Sequence, residues 1–391
     1  MQMKTNNIPG AIIIEGHVQG LSNARALGEA GIPVYLVDKN NCLALYSKYC
    51  TKFFRCPDFK SDDFIEFLMW LGEKENLHGW LLLPSNDHAV YNLAKNKEKL
   101  EQIFKLITPS LDIIEQIYNK ENLLKNAAIS QTSFPASWFP QSYDEKLPDI
   151  IGFPLLVKGK FGLNFYKSTG KKAFLVNNKN ELKTLFVDLQ AKLSAHELFV
   201  QELIPLNEHN KTLSFTAFCI NGKIKSFWMG VKLREHPVQF GTATFAESLR
   251  EESVLIHARK LLEQLNYTGI CEVEFLQDPR DGLFKLIEIN ARTWLWVGLA
   301  KACGVNFALM AYHFVNRNTQ EFPQAYKQGV KWRNIYTDTI FTFLALVKRK
   351  ISITQIIRQN KGRIVDALWQ RKDPIPSIMY LFLGFSFIRK R

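Results

Sequence analysis

The chain has 391 residues, 47% hydrophobic and 22% charged, with a formal net charge of +13. That composition excludes disorder over most of the length and exceeds what one hydrophobic core usually supports, so two or three subdomains are expected. The six cysteines (Cys42, Cys50, Cys56, Cys219, Cys271, Cys303) form no C-x-x-C pair and no Cys/His cluster, which leaves zinc-site and disulfide-framework readings without spacing support.

The start, MQMKTNNIPGAIIIEG, has one lysine before only four consecutive apolar residues, too few for a signal-peptide core, so a cytoplasmic protein is expected. AIIIEGHVQGLSNARALGEAGIPVYLVD then predicts a buried strand (Ala11 to Ile14), a glycine-containing turn, a helix from about Leu21 to Ala30 and a second strand ending in Asp38. Gly16-His-Val-Gln-Gly20 could turn backbone amides toward an anion, but it is not G-x-G-x-x-G, so a Rossmann-type oxidoreductase is poorly supported. Ser85-Asn86-Asp87 follows the strand GWLLLP, where open α/β sheets collect ligands; helix N-capping explains the triplet equally well.

Helical periodicity runs from Leu111 to Ile129, and a linker with Pro135, Pro140, Pro148 and Pro154 follows. Next come the strand PLLVK, a glycine- and lysine-containing loop to Lys172, the strand AFLVN and a helix near Lys179 to Leu193. ELFVQELIPLNE reads as a strand leaving into a loop. TLSFTAFCI and KIKSFWMGVKL alternate around Asn221-Gly222, a strong hairpin signal, and a helix from about Glu251 to Leu265 follows.

In GICEVEFLQDPRDGLFKLIEINART, alternation puts Cys271, Val273 and Phe275 on one face and Glu272, Glu274 and Leu276 on the other. In FKLIEIN it sets Leu286, Glu288 and Asn290 on a common face. An antiparallel hairpin about DPRDG gathers Glu274, Glu288 and Asn290 on one side. Facing carboxylates repel, so a cation between them makes sense of the pattern, and oxygen ligands with open positions suit Mg²⁺. The other reading is a solvated face whose acids pair with lysines. Arg292 points the same way and could stabilise charge on a transferring phosphoryl group.

From Lys331 to Arg391 there are 13 Lys and Arg against three acids, Asp338, Asp366 and Asp373. TIFTFLALV and IPSIMYLFLGFSFI are shorter than the ~20 residues of a membrane span. Basic residues beside such runs suit either a solvated helical cap or a surface resting on anionic lipid. No nucleic-acid motif accompanies the charge.

Glu-Ile-Asn-Ala-Arg resembles the E-x-N-x-R signature of ATP-grasp enzymes, in which two acids and the asparagine hold Mg²⁺ against ATP phosphates. Asn119-Lys120 resembles the family's first phosphate-binding lysine, with Lys125 the competing candidate, and Lys158 in PLLVKG resembles the second. Gln201-Glu202-Leu203-Ile204-Pro205, with Glu208, is similar to the hinge that bonds adenine through backbone groups and holds the ribose with an acid. Lys232 in GVKLR looks like the basic position near the γ-phosphate. GHVQGLSNARALGEAGIPVYLVD, LLLPSNDHAV, LAKACGVNFALMAYHFV and DPIP resemble carboxylate-amine ligases of the D-aspartate ligase-like group. Gly159 departs from the pattern, standing where a proline often follows the lysine.

The resemblance implies an α/β (α+β) protein. It has a Rossmann-like pre-ATP-grasp domain over 1–118, an ATP-grasp domain over 119–330 with a lid at about 131–200, and a basic helical extension over 331–391. It implies ATP and Mg²⁺ as cofactors, Glu274, Glu288 and Asn290 as metal ligands, and amide formation from a carboxylate and an amine through an acyl phosphate. The alternatives are a catalytically silent ATP-binding protein docked at a membrane surface and a biotin-carboxylase-like enzyme without a biotinyl domain. An oligomer is compatible with all of them.

Overall fold

Ala11–Ile14, four apolar residues of which three are β-branched, form a fully buried strand, β1. The chain then winds α1 (Val18–Gly28) and returns parallel to β1 as β2 (Val34–Asp38), the βαβ start expected from the sequence. The computed structural model describes residues 8–205, 210–236, 241–318 and 322–388. β3 (Lys52–Arg55), α2 (Asp63–Lys74), β4 (Leu81–Pro84), α3 (Asp87–Lys95), α4 (Lys97–Leu100) and β5 (Lys105–Leu106) complete a first unit. Its sheet is parallel, in the order β3-β2-β1-β4-β5. Strand order reverses between β1 and β4, so the carboxyl ends of these two strands flank the crevice where such sheets bind ligands.

The single helical period from Leu111 to Ile129 is two helices, α5 (Leu111–Tyr118) and α6 (Lys120–Ile129). Asn119 breaks it, because its side chain accepts from the Glu121 and Asn122 amides and starts a new helix.

Next comes a four-stranded antiparallel sheet, β6-β9-β7-β8. It consists of β6 (Ser137–Trp138), β7 (Leu155–Gly159), β8 (Phe174–Val176) and β9 (Leu198–Glu202), with α7 (Gly162–Thr169) and α8 (Lys179–Gln190). α7 occupies what the sequence reads as an open glycine loop. It ends at Gly170, whose φ of +69° a residue with a side chain adopts only under strain. Gly159 is where it is because of α7: a Cβ there would lie 2.3 Å from that of buried Phe165.

The largest sheet has the order β14-β13-β10-β11-β12-β15-β16. β10 (Thr212–Ile220) and β11 (Lys223–His236) turn at Asn221-Gly222, both at positive φ as the hairpin signal requires. β12 (Thr242–Ser248), α9 (Glu252–Gln264), β13 (Gly269–Gln277), β14 (Phe284–Asn290), α10 (Val297–Cys303) and α11 (Phe307–Val315) follow. Cys271, Val273 and Phe275 pack on one face with α9 side chains such as Leu261, which leaves the acids of β13 on the other.

Beyond Val330, where a helical extension is expected, two short strands lengthen this sheet: β15 (Lys331–Arg333) against β12, and β16 (Ile364–Asp366) against β15. The helices α12 (Ile335–Val347) and α13 (Ile353–Gln359) lie between these strands in sequence, and α14 (Ile375–Ile388) ends the segment. The segment is latched to the first unit: buried Arg25 donates to Asp373 Oδ2 at 2.8 Å, and Ser47 Oγ donates to the same oxygen at 2.7 Å.

Candidate active site

β13 and β14 pair with Glu274 directly opposite Glu288 and Glu272 opposite Asn290, so the expected gathering of Glu274, Glu288 and Asn290 is present. One detail differs. A bulge between Glu274/Glu288 and Phe275/Leu286 inserts Ile287, so Leu286 turns into the core beside Phe275 instead of sharing the face of Glu288.

Each opposed carboxylate has its own cation. Lys232 on β11 puts Nζ 3.2 Å from Glu274 Oε2, and Lys120 at the start of α6 puts Nζ 3.8 Å from Glu288 Oε2. Of the two candidates for the first-lysine position, Lys120 faces the cluster, whereas Lys125 Nζ pairs along the helix with Glu121 at 2.9 Å. Burial works against the charge on Lys232, but Glu274 and Glu272 outweigh it and hold its pKa above the ordinary value. Burial likewise opposes ionisation of Glu288, yet the Lys120 cation keeps its carboxyl below the usual range.

Asn290 joins the cluster together. Its Nδ2 donates to Glu272 Oε2 at 3.0 Å and to Glu288 Oε1 at 3.2 Å, and its Oδ1 accepts from Arg292 at 3.2 Å. Glu272 is a site residue that the sequence reading left on the face of Glu274 without a role. It is buried, accepts from Ser214 Oγ at 2.7 Å, and burial, then the Glu274 charge, push its pKa up to about 8.

Arg292 does not hang free. Its Nε and one terminal nitrogen grip Asp87 in two 2.8 Å bonds, which raises the guanidinium's pKa further against burial. Asp87 opens α3, and Asn86 caps that helix by accepting from the Ala89 amide, so the capping reading of the Ser85-Asn86-Asp87 triplet holds for Asn86, while Asp87 faces Arg292. The carboxyl ends of β1 and β4 in the first sheet therefore abut the acid-bearing face of β13 and β14. There, Gln19 Nε2 donates to the Ser85 carbonyl at 2.9 Å, while Ser85 Oγ and Gln19 Oε1 are buried without a hydrogen-bond partner among the described residues. Glu15, at the end of β1, feels Arg292 and Asp87; burial first, then Asp38, raise its pKa to about 7.

On the four-stranded sheet, Lys158 Nζ donates to Gln201 Oε1 at 3.1 Å, and Gln201 Nε2 donates to Ser137 Oγ at 3.0 Å, which fixes the lysine across β7 and β9. Burial and then the nearby Lys120 cation lower the Lys158 pKa to about 8. Glu202 accepts from the Ala136 amide at 2.9 Å and pairs with Arg280 at 2.8 Å, and Ile204 is buried. Glu208 lies outside the described residues. A cavity of about 280 Å³ adjoins Lys120, lined by Asn119, Glu121, Lys160, Phe161 and His196 among others; it contains none of the proposed metal ligands.

Among the described residues no group of three or more His, Cys, Asp and Glu side chains forms a ready-made metal cage. Two carboxylates and one amide are nevertheless the sparse oxygen set that suits Mg²⁺ when phosphate and water fill the remaining positions. The residues fit that ion.

Comparisons with known proteins agree with this geometry. Residues 232–319 match the carbamoyl-phosphate synthase L chain, ATP binding domain. D-aspartate ligase of Enterococcus faecium (strain Aus0004) is 22% identical over 254 residues, 60% of this chain. The chain spans 59% of that ligase's length. Biotin carboxylase from Campylobacter jejuni superposes with a TM-score of 0.65 at 16% identity, over 82% of this chain and 74% of that one. L-amino acid ligase from Bacillus licheniformis gives 0.59 at 16% identity, over 80% and 75%. The chain has the ATP-grasp fold.

Proposed function

We propose that this chain is an ATP- and Mg²⁺-dependent carboxylate-amine ligase. The observation that carries the reading is the opposition of Glu274 and Glu288 across one hairpin, with Asn290 between them and Lys120 and Lys232 each held to one carboxylate. Four bases (Lys120, Lys158, Lys232, Arg292) lie among three ionised acids (Asp87, Glu274, Glu288) and Glu272, which is mostly protonated at neutral pH, so the cluster by itself carries only a small positive excess. A triphosphate would bring more negative charge than these bases have left to offset. Mg²⁺ held by Glu274, Glu288 and Asn290 would supply the missing positive charge and polarise the phosphate oxygens.

The remaining work belongs to the side chains. Lys158, positioned by Gln201, and Lys120 would bind the triphosphate; the segment Gln201 to Ile204, with Glu208, would receive the base and ribose; Lys232 and Arg292 would offset charge on the transferring phosphoryl group. A carboxylate oxygen attacks the γ-phosphorus, and the bond to the bridging oxygen breaks, with ADP taking the electron pair. The amine lone pair then attacks the acyl carbon, phosphate leaves with the C–O pair, and the nitrogen loses a proton to solvent. No side-chain nucleophile is required. Glu15, Gln19 and Ser85, at the switch point beside Arg292, offer polar atoms to an acceptor substrate.

A phosphate-release screen with Mg²⁺ and ATP over pools of amino acids and carboxylates tests this reading. Activity with one pool, and its loss by about a hundredfold or more in Glu288→Gln and Asn290→Ala, is the expected result. Activity that survives both substitutions would reject the site. Silence across every pool, with ATP still bound, would favour the non-catalytic ATP-binding alternative, and bicarbonate-dependent turnover would favour the biotin-carboxylase-like one.

A further inference from the structure

α12 inverts the usual arrangement of a surface helix. Its thirteen residues, IYTDTIFTFLALV, bury a single side chain, the charged Asp338. Phe343 is 63% and Val347 64% exposed. Soluble helices turn the apolar stripe inward and leave acids in water.

The inversion is local. Of the twenty-two exposed large apolar side chains among the described residues, twelve fall between Ile335 and Phe382. α13 buries no side chain, and α14 leaves Ile375, Ile378, Leu381 and Phe382 in solvent. α12 and α14 adjoin: Tyr336 stacks on Tyr380 with centroids 5.3 Å apart, and its hydroxyl donates to the Ser377 carbonyl at 2.9 Å. Two adjoining helices therefore concentrate exposed apolar side chains in one region, beyond the scattered single residues that are ordinary on a surface.

Charge singles out the partner. All three acids of this segment are hydrogen-bonded within the chain, and Asp338 and Asp373 are buried. Asp338 takes two bonds from Arg234, Asp373 takes Arg25, and Asp366 accepts the Leu368 and Trp369 amides. The exposed bases Lys348, Arg349, Lys350, Arg358, Lys361, Arg363, Arg371 and Lys372 form no ion pair among the described residues. Exposed apolar side chains accompanied by exposed, unpaired bases complement a surface that is apolar beneath and anionic at its rim. No helix among the described residues is long and apolar enough to cross a membrane.

We propose that α12 and α14 dock this chain onto the surface of a bilayer containing anionic phospholipid, with apolar side chains entering the headgroup boundary and the basic residues meeting lipid phosphates. Arg234 ties α12 to β11 two residues past Lys232, so the docked surface is joined to the strand that carries the candidate phosphate-facing lysine. The proposal stands apart from the ligase reading, because lipid binding is read without nucleotide.

The test is sedimentation of the full chain with vesicles of phosphatidylcholine alone or of phosphatidylcholine mixed with phosphatidylglycerol. The chain should pellet with the mixed vesicles and not the neutral ones, and raised salt should weaken the binding. Reversing Lys348, Arg349 and Lys350 to Glu should lower affinity by about tenfold or more. Phe343→Ser with Phe382→Ser should lower it at low salt as well, with thermal melting unchanged. Equal uptake by both vesicle types, or by neither, would overturn the proposal. So would self-association that Phe343→Ser returns to monomer, which would assign the surface to a second copy of this chain.

Discussion

Arg292 grips Asp87 through two 2.8 Å bonds although 205 positions separate them, and Tyr118 donates to the same carboxylate at 3.1 Å. The pair joins the first sheet to the acid-bearing face of β13 and β14 and fixes the guanidinium beside Asn290. Asp87→Asn keeps the shape and removes the charge. It should cost roughly 1–3 kcal/mol of stability, read from urea unfolding, and lower ATP-dependent phosphate release. If neither quantity moves, the pair orients nothing.

In the proposed ligase, Lys158 trades stability for anion binding. Burial and Lys120 lower its pKa from an ordinary 10.5 to about 8, so the unfolded chain holds more protons between those values. Stability should therefore rise with pH over that window, and the full penalty applies below it. Lys158→Met should stabilise the nucleotide-free protein by roughly 1–3 kcal/mol at neutral pH while abolishing nucleotide binding. In the unsubstituted chain, ATP affinity should fall as pH climbs through about 8. A variant that is both less stable and still able to bind ATP would contradict this account.

Glu15 shows the opposite sign. Burial and Asp38 raise its pKa from 4.5 to about 7, so the folded state holds the extra proton and stability should drop as pH rises across that interval. Glu15→Gln removes the effect, with a gain of about 1–3 kcal/mol above pH 7 and little change below pH 4.5. Thermal melting of both proteins over this pH range decides the matter; parallel profiles would show that Glu15 is not the responsible group.

Asp373 and Arg25 are both buried, with side-chain exposures of 1% and 7%. Asp373→Ala strands the guanidinium and should cost roughly 3–5 kcal/mol. Limited proteolysis should then cut within residues 331–388 before the rest of the chain unfolds. Uniform resistance there would indicate that the latch contributes nothing to holding the segment.

Much of the site was legible in the sequence because it is local. Period-two alternation placed Glu274, Glu288 and Asn290 on one ribbon face, and Asn221-Gly222 marked its neighbouring hairpin. What stayed hidden depended on registry or distance. Alternation cannot reveal that Ile287 is an inserted residue, so by itself it sets Leu286 on the wrong face. Asp87 carries a capping signal and a strand-end position but no sign of Arg292, because that partner is remote in the chain. Lys331–Arg333 and Ile364–Asp366 are too short for a period to register, and their strand pairing comes from the sheet they join. α7 lies within a glycine-bearing stretch whose composition favours a loop, and packing of Phe165 against Gly159 overrides it.

Pairing of β15 with β12 also governs what a shortened chain would be. Trp332, 1% exposed, sits in the same apolar cluster as Trp228, Trp294 and Trp296. Cleaving after Val330 would strip the backbone partner from Phe245 to Glu247 and open a tryptophan-sized void. The remnant would carry a raw β-edge beside uncovered indole rings, an invitation to aggregate. Loss of activity in such a fragment would report damage to the sheet rather than the absence of a membrane anchor.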